Sequence, residues 1–173
     1  MKRKVSIYIT GLITGLFAIL FYQCSTEKNT PVSRSYHNLT SYYNILFNGQ
    51  ESFNKGLKRY REEFQYDFTR QLPLFEYGNE KLSGNIQRPM ERTITKCSKV
   101  IKLHSITAKP ENLEDKRKLT EEEKEYYEKS EFNKFADDAY LLMGKAYFWQ
   151  MKYQTAANVL AYAAREFKDP TIK

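Results

Sequence analysis

Few side chains in this 173-residue chain have a setting that points to chemistry of their own, and the first to weigh are its two cysteines and two histidines: Cys24, Cys97, His37 and His104. Cys24 has the most telling surroundings. Lys2, Arg3 and Lys4 form a short basic head, 18 uncharged and mostly apolar residues run from Val5 to Tyr22, and Gln23-Cys24 follows. This is the layout of a bacterial export signal ending at a lipid-accepting cysteine. The chemistry requires a thiol, because the sulfur is the nucleophile that takes the diacylglyceryl group; acylation of the new amino terminus then adds further chains. At ~0.8 kcal/mol per buried methylene, several acyl chains hold a protein on a bilayer essentially permanently. Phe21-Tyr22-Gln23 stand where such boxes usually carry Leu and small residues. The alternative is therefore an uncleaved helix, ~27 Å long and just able to span a bilayer, with Gly11 and Gly15 on one small-xxx-small face. Either way the folded part is expected outside the cytoplasm.

The other three groups predict no reaction. Cys97 lies beside Ile94 and Ile101 on one helical face and reads as a core residue. His37 and His104 are each alone in their local sequence, and His104 is expected to cap the end of its helix. No Gly-rich phosphate loop, G-x-S-x-G or H-E-x-x-H occurs, so no catalytic residue, cofactor, metal site or small-molecule substrate is expected. Two cysteines build neither a disulfide framework nor a four-thiolate zinc site. The formal charge of +7 is partly targeting: beyond residue 23, 25 basic residues stand against 21 acidic ones. The short basic run from Lys55 to Arg61 is followed at once by Glu62 and Glu63, which argues for a solvated face and against nucleic acid.

The elements that would position these groups read as helices, and aromatic residues make up 15% of the chain, too much ring surface for a disordered one. Residues 1–23 are expected to be the signal peptide and 24–32 a lipidated tether. Residues 33–104 are expected to form an N-terminal helical region. There, Tyr36, Leu39, Tyr43 and Phe47 form one apolar run and Phe53, Leu57, Tyr60 and Phe64 another, with Asn48-Gly49 between them as a breaker. Two antiparallel helices are predicted, forming a degenerate first repeat, with the Tyr36–Phe47 rings as core and inter-helix packing. Gln65 to Pro89 reads as an extended connection whose aromatics dock on a neighbouring surface. A third helix is predicted from about Met90 to His104, with Ile94, Cys97, Ile101 and His104 on one stripe. Residues 105–134 read as a charged insertion, with a solvated helix from Glu121 to about Lys129 announced by the Thr120/Glu123 capping-box pattern.

Residues 135–170 carry the most specific pattern. Ala139 to Pro170 resembles a tetratricopeptide repeat (TPR), a helical hairpin of about 34 residues. Tyr140, Met143, Gly144 and Tyr147 match the first helix, Tyr153, Ala156, Leu160 and Ala163 the second, and Pro170 the close. Gly144 and Ala156 are expected where the two helices cross closely. The fold class expected is all-α, with TPR-like hairpins of an α-solenoid. One repeat cannot bury both of its faces, so the chain reads as the N-terminal part of a longer array. Lys145, Phe148 and Trp149 are the candidates for contact with a partner along the hairpin.

The tract from Ser33 through Tyr43-Asn44 to Phe47-Asn48-Gly49, the segment from Pro73 to Gly78 and the tract from Asp137 to Phe148 together resemble the gliding-motility lipoproteins of the SprE/PorW type from Bacteroidota. The resemblance covers nearly all of this chain but only the front of the family's length. It implies a non-catalytic TPR scaffold lipoprotein, anchored through acylated Cys24 in the outer membrane and facing the periplasm. Its partners would be protein subunits of the type IX secretion and gliding machinery. The alternative is a TPR lipoprotein resembling the BamD-type subunit of outer-membrane β-barrel assembly.

Overall fold

The computed structural model of the protein describes residues 28–69, 71–110 and 119–167, and every regular element among them is a helix. Helix α1 (Pro31–Leu39) starts where the Thr30 hydroxyl accepts the Ser33 N–H at 3.1 Å and Pro31 takes a first-turn position whose N–H has no helical acceptor. It passes without interruption into a π-helical segment (Thr40–Leu46) and then into α2 (Phe47–Glu63). The π geometry shows in the Phe47 N–H, which donates to the Tyr42 carbonyl five residues back.

This continuous rod corrects the expectation of two antiparallel helices. Asn48-Gly49 does not break it, because Gly49 is used for close approach: an added Cβ would sit 3.3 Å from Lys96 Cβ, and the Gly49 carbonyl accepts the Thr93 hydroxyl at 3.0 Å. Tertiary packing outweighs the ~1 kcal/mol helix penalty of a glycine.

After α2 the chain runs without regular structure to Asn79, whose side chain caps α3 (Glu80–Asn85) by accepting the Leu82 N–H. In the run before it, Phe68, Leu72, Leu74 and Phe75 are exposed. Tyr77 alone of the connector's predicted docking residues packs on the hairpin, edge-on to Phe148 at 5.1 Å. Tyr66 packs edge-on to Phe64 at 5.1 Å, so the expected docking shrinks to two rings, and α3 with the first turn of the following helix replaces the extended chain expected up to Pro89. Helix α4 (Gln87–His104) begins three residues before the predicted start; Pro89 fits its first turn, where no N–H is needed. Helix α5 (Glu121–Glu128) has the predicted capping box, and none of its residues is buried.

Helices α6 (Ala136–Trp149) and α7 (Tyr153–Glu166) form the C-terminal hairpin. Met151 turns it with a positive φ of 61°, while the N–H groups of Met151 and Lys152 cap the carbonyls of Phe148 and Tyr147.

The core lies where α4 is sandwiched between the rod and α6. Tyr60, Ile86, Met90, Cys97 and Val100 are completely buried there, each large aliphatic side chain contributing about 1.5–3 kcal/mol. On α4 the buried stripe is Met90, Thr93, Cys97, Val100 and His104, with Ile94 and Ile101 at its margin. Cys97 is the core residue the sequence predicts, its thiol pushed up to about 12 by burial.

Candidate functional site

The hairpin brings the repeat-like residues together as spaced. Met143, Gly144, Ala156 and Ala163 are buried, and Tyr140, Tyr147 and Leu160 half-buried. Gly144 is the closest point: a Cβ there would lie 2.5 Å from Leu160 Cδ2 and 2.6 Å from Leu160 Cγ, so Leu160 occupies the space the missing side chain leaves. Tyr140 packs against Tyr162 and Phe167, ring centroids 5.0 and 5.8 Å away, and burial with these neighbours pushes its hydroxyl up to about 12. Tyr153 is exposed on one side and meets Phe148 at 5.4 Å. Pro170 lies outside the described residues.

The three candidate partner contacts divide. Lys145 is exposed on α6. Phe148 is half-buried between Tyr77 and Tyr153. Trp149 is half-buried with its ring edge-on to Tyr60 at 5.0 Å, which fastens the hairpin to α2. The outward side of α7 is covered by no described element: Gln154, Thr155, Ala157, Asn158, Ala161 and Tyr162 are exposed along it.

At the opposite end the structure assembles a polar seam that local sequence does not reveal. The two histidines, solitary in sequence, meet with Nδ1 to Nδ1 at 2.9 Å, both buried. His104 therefore does not serve as a cationic helix cap: burial first, and then the neighbouring His37, lower its pKa. Burial also lowers that of His37, against an opposing pull from Glu131. His37 Nε2 is buried without a hydrogen-bond partner.

Around the pair, Asn133 Nδ2 donates to the Ser41 hydroxyl and to the His104 carbonyl, both at 2.8 Å. Glu131 Oε1 accepts the N–H groups of Ile106, Phe132 and Asn133 at 2.7 to 2.9 Å, and its other oxygen accepts the Ser105 hydroxyl. Asn38 Oδ1 accepts the Lys134 N–H at 2.9 Å, and Asn29 Nδ2 donates to the Ala108 carbonyl at 2.7 Å. The first half of the rod and the residues before it are thus held by hydrogen bonds to the two ends of the charged insertion, where Ile106, Phe132 and Asn133 are buried. This seam sets two buried imidazoles among serine hydroxyls, an amide and a carboxylate that are already engaged in hydrogen bonds. Among the described residues no group of three His, Cys, Asp or Glu is placed to hold a metal ion.

Because the seam takes Ser33, His37 and Ser41 inward, the apolar run beside them turns outward. Val32, Tyr36, Leu39, Tyr43 and Phe47 are exposed by 68, 45, 61, 63 and 58%. This corrects the expectation that the Tyr36–Phe47 rings are core. The signal that could have found the error was the spacing of four from Ser33 to Ile45, which defines an equally regular but more polar face.

The basic run on α2 is a solvated face as expected, with Lys58 paired to Glu62, Arg59 to Glu63 and Arg61 to Glu76. Cys24 and the apolar segment before it lie outside the described residues, and no helix within them is long and apolar enough to cross a membrane. No protein-family model matches the chain, and no curated protein matches it either.

Proposed function

We propose that this protein is a non-catalytic scaffold of the bacterial cell envelope, lipid-anchored through Cys24, that binds other proteins through TPR-like hairpins. The observation that carries the proposal is the α6–α7 hairpin, with Gly144 closed over by Leu160 and the outward side of α7 uncovered. In stacked repeats such a face receives the next hairpin or a partner helix. Lys145, exposed on α6, and half-buried Phe148 are the side chains offered to a partner along that helix, and Trp149 fastens the hairpin to α2.

The resemblance to SprE/PorW-type lipoproteins makes the type IX secretion and gliding machinery the proposed setting, on an outer membrane and facing the periplasm. The rival setting is β-barrel assembly. The two separate in one experiment: deletion of the gene in the source bacterium, followed by quantitative mass spectrometry of medium, periplasm and outer membrane. The secretion role requires C-terminally tagged cargo to leave the medium and collect in the periplasm while barrels stay at normal abundance. Loss of the barrels together with the cargo would select the assembly role, and unchanged fractions would reject both.

A further inference from the structure

The stripe Val32, Tyr36, Leu39, Tyr43 and Phe47 runs along one side of the rod for ~22 Å at helical rise, and in the structure it faces solvent. Its inner neighbours Ser33, His37 and Ser41 are polar and buried, so the first half of the rod is inverted relative to an ordinary surface helix. Three features of the chain define what covers such a face.

The first is charge. From Lys28 to Gln50 the chain has no acidic residue and carries Lys28 and Arg34. Beyond Gln50 acids return at once with Glu51, then Glu62 and Glu63. A cover of negative charge therefore meets no acidic side chain of the rod over the stripe.

The second is composition. Tyrosine and phenylalanine mixed with leucine and valine, and flanked by Ser35, Asn44 and Asn48, suit the boundary of a bilayer, where a ring meets acyl chains and its hydroxyl meets headgroups. The third is reach. Pro31 lies seven positions after Cys24, and seven residues extend to ~25 Å at most. An acyl chain on Cys24 keeps the start of α1 within that distance of the lipid.

We infer that the outward stripe of the first helix, Val32, Tyr36, Leu39, Tyr43 and Phe47, lies in the headgroup region of an anionic bilayer and orients the domain on it. The inference rests on the lipid-anchor reading of Cys24. The anchor supplies attachment without orientation; the stripe fixes which side of the protein faces the lipid and turns the hairpin side, joined to the rod through Trp149 and Tyr60, toward other proteins.

The test places an environment-sensitive fluorophore on the full acylated chain, either at Tyr43→Cys on the stripe or at Lys58→Cys on the solvated face of α2. Cys97 is buried and does not compete for label. Each labelled chain is reconstituted on vesicles of phosphatidylcholine and phosphatidylglycerol, with retained far-ultraviolet helicity as the check on folding. The expected result is a severalfold rise and blue shift for the probe at position 43, none at position 58, and a smaller rise on phosphatidylcholine alone.

Co-sedimentation of the chain with vesicles reads the anchor separately, and Cys24→Ser should abolish it. A chain that co-sediments while position 43 stays aqueous overturns the stripe and leaves the anchor standing. A chain that neither co-sediments nor responds at position 43 overturns both. A rise at position 43 that needs no vesicles and grows with protein concentration assigns the stripe to a second copy of the chain and overturns the inference as well.

Discussion

The two halves of the rod are built on opposite plans. From Phe47 to Glu63 it buries Phe53 and Tyr60 and sets Lys55, Lys58, Arg59 and Glu62 in water, the arrangement of any helix lying on a core. From Pro31 to Asn44 it buries Ser33, His37 and Ser41 and shows Tyr36, Leu39 and Tyr43 to the outside, before Ile45 and Leu46 turn into the apolar core. Burial of apolar surface fixes the first plan and hydrogen bonds fix the second. The difference teaches that one helix can be held by two unlike forces, and that its most apolar face need not be its inner one.

The comparison breaks most sharply on two phenylalanines six positions apart. Phe53→Ala should lower the unfolding free energy by about 3–5 kcal/mol, as for other buried aromatic truncations. Phe47→Ala should change it by no more than about 0.5 kcal/mol. Urea unfolding of the two variants measures the contrast, and equal losses would mean that Phe47 is core after all.

A smaller effect is expected at the hairpin. Gly144→Ala pushes a methyl group into Leu160 and should cost about 1–3 kcal/mol. Adding Leu160→Ala should recover part of that loss, so the pair should be non-additive in the same unfolding assay.

The smallest and most selective effect belongs to the seam. Both histidines have pKa values lowered by burial from the ordinary 6.5. In the unfolded chain they take up protons as the pH drops past 6.5, while in the folded chain they still resist. Stability is therefore full above that pH and declines below it, over the part of the range from about pH 8 to 5 in which histidine is the switch. One proton can be shared along the Nδ1 to Nδ1 contact, whereas two place like charges 2.9 Å apart. Amide exchange against pH should show the first half of the rod loosening before α6 and α7, and His104→Gln should flatten the profile.

What the sequence disclosed follows the range of the interactions. The Gly144 hairpin, the Thr120 capping box and the Cys97 stripe are set by residues three to twenty positions apart, and their spacing announces them. The seam joins His37 to His104, Ser41 to Asn133 and Asn38 to Lys134, across separations of 67, 92 and 96 residues. No local pattern carries such pairings, and without them the apolar run from Tyr36 to Phe47 reads as the inner face. Asn48-Gly49 misled for a related reason: a glycine that lets α4 approach is indistinguishable in one sequence from a glycine that ends a helix.

The π-helical segment gives the rod a property that a plain α-helix lacks. Its wider turns hold surplus residues, so a single deletion between Thr40 and Leu46 could be absorbed by a return to α geometry without shortening the helix by a full turn. In a plain α-helix the same deletion would swing everything before it by ~100° about the axis, enough to bring the inner stripe of α1 outward. The seven residues thus buffer the identity of the outward side, and an ancestor or relative shorter by one residue there would present the same face of the helix to its surroundings.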